Sequence, residues 1–331
     1  MDSAELFALP VHEDDLERLE LAIRQAVLRG DPFLDEVATH LIVAGGKRLR
    51  PALTLAAASL DGRTIEEANL LGGVSVELIH LASLYHDDVM DEAVLRRGAP
   101  SVNARYGNLV AIVAGDFLLA RSAEIAASLG TEVAGLVAAT LARLCQGQIA
   151  EVRSTFNTAR TEADYLAAIA DKTGSLMAAA CRIGGITAGL DRRRIDALTE
   201  FGECLGMVFQ IRDDVLDVVA SEAELGKAPG QDLAEGVYTL PVQRALADGR
   251  VGGELTAMLG RPLGTAEIVV CRELIASSSA IAEAAEVARR YALAAVAATE
   301  LLGDSVATEG LRRLSLALAD DLDRSTRALA S

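Results

Sequence analysis

Apolar residues recur every three to four positions along almost the whole chain, and no stretch alternates long enough to read as a half-buried strand. That period commits the polypeptide to helices that each bury one face. Only seven prolines occur in 331 residues, and none lies between Pro100 and Pro229, so long helices can run unbroken. With 51% hydrophobic and 24% charged residues, the chain can build a large core. The pattern predicts an all-α protein with helices at 13–29, 32–44, 51–60, 64–91, 107–128, 131–153, 162–170, 172–189, 193–220, 237–248, 264–300 and 306–328. Breakers such as "RGDP", "AGGKRLRP", "RRGAPS" and "GKAPGQDLAEG" separate them. Length alone suggests about two domains at ~150 residues each. No linker, low-complexity tract or fixed-period repeat divides the chain, however, and residues 1–331 read as one helical domain.

A net charge of -17 argues against a general nucleic-acid binder, which would carry a basic face. It also means that any anionic substrate must be met by metal ions or by a local cluster of Lys and Arg. Cys145, Cys181, Cys204 and Cys271 form no zinc or disulfide pattern and read as small core residues of a reducing compartment. The acidic start "MDSAELFALP" lacks the basic region of a signal peptide, and no apolar run reaches the ~18 residues of a membrane span. A cytoplasmic protein without a transmembrane segment is expected, with at most transient membrane contact.

Against this background "HLASLYHDDVMDEAVLRRG" (80–98) and "FQIRDDVLD" (209–217) stand out. Each writes Asp-Asp-x-x-Asp at the end of a mostly apolar helical run. Asp87 and Asp91, four apart, stack on one helix face, and Asp88 adds a third charge. The negative dipole end of the helix worsens the repulsion, so the arrangement calls for cations. Oxygen-only ligands select hard ions, and Mg²⁺ is commonly held by one or two carboxylates plus substrate phosphates. Gln210, Asp213 and Asp217 repeat the logic, with Asp214 alongside. A single such motif is more often a solvated helix end; two are harder to dismiss. The complement comes from Lys47, Arg48 and Arg50 in "GGKRLRP", Arg96 and Arg97 in "LRRG", Lys172 and Thr173 in "DKTGSLM", and Lys227 in "GKAPGQDL". Carboxylates and cations together describe a receptor for two diphosphates.

These motifs, in this order, resemble the trans-isoprenyl diphosphate synthases, or polyprenyl synthetases. The resemblance covers roughly residues 12–330 and implies an isoprenoid synthase-type bundle around a deep central cavity. It implies that Asp87, Asp91 and Asp213 hold three Mg²⁺ ions, with Asp88, Asp214 and Asp217 further out. It also implies that Arg96, Lys172, Gln210 and Lys227 touch an allylic diphosphate, with Thr173 near the bond that breaks. Lys47, Arg50, His80 and Arg97 would bind isopentenyl diphosphate. The activity implied is a prenyltransferase reaction: diphosphate departs from the allylic partner and isopentenyl diphosphate attacks through its double bond. A homodimer is implied, through helices beside the first aspartate motif. One departure is visible: "GVYTLP" places Val237 where the family usually has lysine, and Arg244 or the nearby loop could compensate.

A class I terpene cyclase would be expected to lack "GGKRLRP" and to carry an Asn-Ser/Thr-Glu triad; both synthase features are present instead. A regulatory subunit would typically lack the aspartates. The resemblance also implies that product length turns on Ala82 and Ser83, five and four residues before Asp87 and about one turn below it, where short-chain members of the family carry bulky aromatic residues that form a floor. Both are small, so an open floor is expected, with a tunnel running back toward Asn69 over roughly 30 Å. That predicts a long-chain product of about C30 to C50, plausibly a quinone side-chain precursor, with a C20 product as the alternative.

Overall fold

The computed structural model describes residues 9–222 and 228–329, the side chains of 325–329 excepted. Lys227, expected at the allylic diphosphate, lies outside the described residues. Helix α1 (Glu13–Val27) leads into α2 (Pro32–Val43), which starts where Asp31 accepts hydrogen bonds from the Phe33 and Leu34 amides and Pro32 takes the first turn. Then come α3 (Leu49–Ala58), the long α4 (Glu67–Met90), a hairpin β1 (Leu95–Arg96) and β2 (Ala99–Pro100), α5 (Val102–Tyr106), α6 (Asn108–Ser128) and α7 (Thr131–Arg153). A Thr161–Asp164 capping box opens α8 (Glu162–Ile169). The second half holds α9 (Ser175–Thr187), α10 (Arg192–Val219), α11 (Gln231–Glu235), α12 (Leu240–Ala247), α13 (Gly252–Met258), α14 (Thr265–Ser277), α15 (Ala280–Ala298) and α16 (Val306–Leu329).

The fold is all-α, as the periodicity requires, apart from that two-residue hairpin. Helix α4 is buried on nearly all sides, packing against α3, α6 and α9, while α10 packs against α9 and α15. The main core gathers side chains from α1 to α4, α6, α9 and α10. A second core under the C-terminal half centres on Tyr165, Ile211, Tyr238, Leu240 and Ile275.

Several expectations are corrected. The helix expected over 264–300 is two helices, because Ser277 and Ser278 turn their hydroxyls onto the Leu274 and Ile275 carbonyls, and Ser278 also caps the Ala280 amide. The 171/172 break is no break: a π turn, Ala170–Gly174, carries α8 straight into α9. Its extra width is accommodated by glycines, since a Cβ on Gly147 would lie 2.7 Å from the Lys172 amide nitrogen and one on Gly206 would lie 2.6 Å from the Gly174 Cα. Cys181 and Cys271 are buried as expected, but Cys145 is exposed on α7. Two helices, Glu67–Met90 and Thr131–Arg153, are long and apolar enough to cross a membrane, contrary to the expectation from contiguous runs; in the first, 72% of the apolar window is buried within the bundle.

Candidate active site

The C-terminal ends of α4 and α10 bring the two aspartate motifs to one rim. Asp88 is wholly buried and takes both Nε (2.7 Å) and Nη2 (2.6 Å) of Arg96 on one carboxylate oxygen, leaving Oδ2 without a hydrogen-bond partner. Asp88 therefore anchors the hairpin rather than facing the cavity, and Arg96 is committed to it. Asp87 and Asp91 point the other way. Burial raises the Asp87 pKa, against the pull of Lys172 and Arg96. Partial enclosure, then the neighbouring Glu235 and Asp87 carboxylates, push Asp91 up to about 6. Carboxylates crowded so that their own ionisation is resisted fit a polyvalent cation. Among the described residues no three His, Cys, Asp or Glu side chains converge tightly enough to hold a metal alone. Ions here would have to share their coordination with a ligand's oxygens.

On α10, Asp214 is buried and linked into a chain: the Thr173 hydroxyl donates to Gln210 Oε1 (2.8 Å), Gln210 Nε2 donates to Asp214 Oδ1 (2.8 Å), and the Tyr165 hydroxyl donates to Asp214 Oδ2. Burial pushes Asp214 up to about 7. Asp217 accepts from the Gln231 and Asp232 amides and so pins the start of α11. Asp213 remains exposed at the rim, close enough for its charge to act on Lys47 and Arg50. The π turn presents Lys172, whose Nζ lies 2.5 Å from Glu151. A cavity of about 520 Å³ is lined by Asp91, Lys172, Gln210, Asp214, Glu235 and Val237 from this set, while Asp87 lines the apolar cleft beside it.

A cationic wall lies beside it. Arg48 is structural: as the left-handed N-cap of α3 (φ 47°) it is locked by Glu20, by buried Glu77 (2.8 Å) and by the Ile42 carbonyl. Arg50 is the contrast, because its buried Nε has no hydrogen-bond partner among the described residues. The Nε atoms of Arg194 and Arg244 also lack a hydrogen-bond partner, but carboxylates hold those two side chains, whereas Arg50 makes no ion pair among the described residues and is open to an anionic ligand. Arg97 donates to the Leu41 and Gly45 carbonyls, and burial with the charges of Arg50, Arg97, Arg48 and Arg96 lowers the His80 pKa well below its usual value. His80 is therefore neutral, able to donate and accept in one site. Gly46 lets the loop press on Arg97: a Cβ there would sit 2.8 Å from the guanidinium carbon, at φ 152°. Gly46→Ala should displace Arg97 and raise KM for the isopentenyl partner by about tenfold, ~1.4 kcal/mol, with the allylic KM little changed; steady-state kinetics with each substrate varied will check it.

Below Asp87 an apolar cleft of about 580 Å³ runs between α4, α6 and α7. Ser83 lines it, but Ala82 does not: one residue's rotation turns Ala82 into the main core, where it is fully buried. The cleft descends to Ile79, Leu119 and Leu141, about 12 Å below Asp87 for eight residues at ~1.5 Å each. Beneath that level Ser75 and Ser122 hydrogen-bond at 2.9 Å, and Asn69 is buried against Thr187. The expected straight tunnel to Asn69 is therefore closed by packing, and the cleft reaches solvent sideways past Ile112, Asp116 and Ile149. Arg244, suggested as a substitute for the missing lysine, is held by Glu162 and Glu283 and does not line the cavity. Glu151, Arg160, Tyr165 and Glu235 were not singled out from sequence; no spacing ties them to the motifs, and only the fold brings them there.

Acidic helix ends meeting a cationic loop over an apolar cleft, in an all-α bundle, define an isoprenyl diphosphate synthase type of prenyltransferase. The polyprenyl synthetase family model matches residues 31–273, and the chain belongs to that family. It is a prenyltransferase, a polyprenyl diphosphate synthase. It is 40% identical over 289 residues to nonaprenyl diphosphate synthase of Mycobacterium tuberculosis, covering 87% of this chain and 86% of the relative. The polyprenyl synthase of Caulobacter crescentus, solved with calcium and isoprenyl diphosphate, superposes with a TM-score of 0.89 at 32% identity, covering 96% of this chain and 98% of that one. Geranylgeranyl pyrophosphate synthase of Corynebacterium glutamicum superposes with a TM-score of 0.82 at 38% identity, over 95% and 99% of the two chains. The family binds divalent metal ions.

Proposed function

We propose that the protein elongates an allylic diphosphate with isopentenyl diphosphate, in the presence of Mg²⁺, to a long-chain all-trans polyprenyl diphosphate of about C30 to C50, serving as a quinone side-chain precursor. Asp87, Asp91 and Asp213 would hold the ions. These would supply the charge neutralisation that makes diphosphate a leaving group. Lys47, Arg50, His80 and Arg97 bind the isopentenyl partner; neutral His80 hydrogen-bonds its diphosphate while the arginines carry the counter-charge. Lys172 and Gln210 receive the allylic diphosphate, Arg96 reaching it only from its Asp88 anchor. The Gln210 carboxamide holds the Thr173 hydroxyl, so that its oxygen lone pairs are set toward developing positive charge. The apolar cleft shields the allylic cation from water.

The observation that carries this reading is that both aspartate motifs line one cavity, through Asp91 and Asp214, while Arg50 lies close enough to Asp213 for their charges to act on each other. Small Ser83 supports a long product, and so does the resemblance to a nonaprenyl synthase. The closed packing below Ile79 favours a second reading, a C20 product, as does the likeness to a geranylgeranyl synthase. Incubation with isopentenyl diphosphate and each allylic starter, followed by sizing of the dephosphorylated products, decides between them: a ladder reaching C30 or beyond supports the first, a stop at C20 the second.

A homodimer is proposed through α6 and α7, which expose Leu109 (76%), Val113 (58%) and Ile149 (59%) beside the cleft. Val113→Asp should convert a dimer to a monomer in light scattering with the helical signal retained; wild type that is already monomeric would end this proposal.

A further inference from the structure

Apart from the two aspartate motifs, the same 520 Å³ cavity holds a second cation, Arg160. It is 8% exposed and sits in the residue before the Thr161 cap of α8, its backbone amide donating to the Asn157 carbonyl. Its guanidinium carbon lies over the Tyr165 ring, 5.5 Å from the centroid, and Tyr165 in turn donates to Asp214. A guanidinium over an aromatic face is held there by the ring's negative quadrupole while its N–H groups stay available to other partners. No carboxylate of the described residues pairs with those groups, although Asp91, Glu151, Asp214, Asp232 and Glu235 all share the cavity. Lys172, the other cation there, is taken by Glu151. A largely buried arginine without a partner is costly, and its retention in so acidic a cavity is explained if an anion arrives. Val237, in the same wall, offers nothing to one.

Resting on the reading above, we propose that Arg160 is a binding residue for the allylic diphosphate, supplying from the start of α8 the counter-charge that the Val237 position lacks. The planar fork suits two oxygens of one phosphate, and the Tyr165 stack keeps it aimed while the long tail settles into the cleft.

The test is a charge relocation. Arg160→Leu should raise KM for farnesyl diphosphate by about tenfold or more, the cost of a charge-assisted hydrogen bond, while KM for isopentenyl diphosphate stays within about twofold. Val237→Lys added to Arg160→Leu should recover most of the loss, because it returns a cation to the same cavity. An unchanged allylic KM in Arg160→Leu overturns the assignment. So does a loss that neither Val237→Lys nor Arg160→Lys recovers and that comes with a lowered melting temperature, since the arginine then serves only to pack on Tyr165. A wild-type protein that does not condense the two substrates at all would instead overturn the functional reading on which the assignment rests.

Discussion

Asp87→Ala and Asp213→Ala proteins will fold as the wild type does and lose turnover by at least ~10²–10³-fold, the cost typical of removing one group that stabilises a developing anion. The fold should survive because Asp213 is exposed at the rim, where its ion pair with Arg212 (3.3 Å) is partly solvated, and neither side chain is wholly buried against an arginine as Asp88 is against Arg96. Removing Asp87 also relieves repulsion, since it is one of the charges that push Asp91 upward. Equal helicity and melting temperature by circular dichroism, with kcat reduced at saturating Mg²⁺, is the expected result. Near-normal turnover in either variant would sink the ligand assignment. Asp88→Ala is the control with the opposite signature: it strands Arg96 beside a vacated buried site and should cost stability first.

Ser83→Phe should shorten the product ladder without abolishing the first condensation. The Ser83 side chain lines the cleft one turn below Asp87, where its hydroxyl folds back on the His80 carbonyl and presents a small surface. A phenyl ring there would cross toward Leu144 and fill the way down to Ile79. Ala82→Phe is a different experiment, because Ala82 is wholly buried in the main core and a ring there should destabilise the bundle by overpacking. Sizing products from both variants distinguishes a blocked cleft from a damaged core. An unmoved ladder in Ser83→Phe would mean that the growing tail leaves by another route.

The helical class and the two acidic motifs were legible in the residues, for a shared reason: both rest on short spacings. A 3.6-residue period specifies which face a helix buries, and Asp-Asp-x-x-Asp places two carboxylates on one face whatever surrounds them. Local chemistry was harder to read. Three serines at 277–279 interrupt a helix that their apolar neighbours would continue, and a π turn at Ala170–Gly174 hides in a sequence that reads as a break. Such devices depend on which hydroxyl finds which carbonyl, and on glycines in other helices making room.

By itself, then, the chain determined its all-α architecture, its two acidic helix ends and the cationic "GGKRLRP" loop that answers them, because periodicity and charge are properties of neighbours in sequence. Only the tertiary structure decided which charges are spent. It gave Asp88 to Arg96, Arg48 to Glu77 and Lys172 to Glu151, left Arg50 Nε without a hydrogen bond among the described residues, and set Arg160 over Tyr165 in the cavity lining. It also turned Ala82 into the core, kept Ser83 on the cleft, and closed the way to Asn69 with the Ser75–Ser122 pair. The Arg48–Glu77, Lys172–Glu151 and Ser75–Ser122 contacts join residues 29, 21 and 47 positions apart, and even the Asp88–Arg96 pair, eight apart, needs the hairpin to fold back, so no local pattern encodes them.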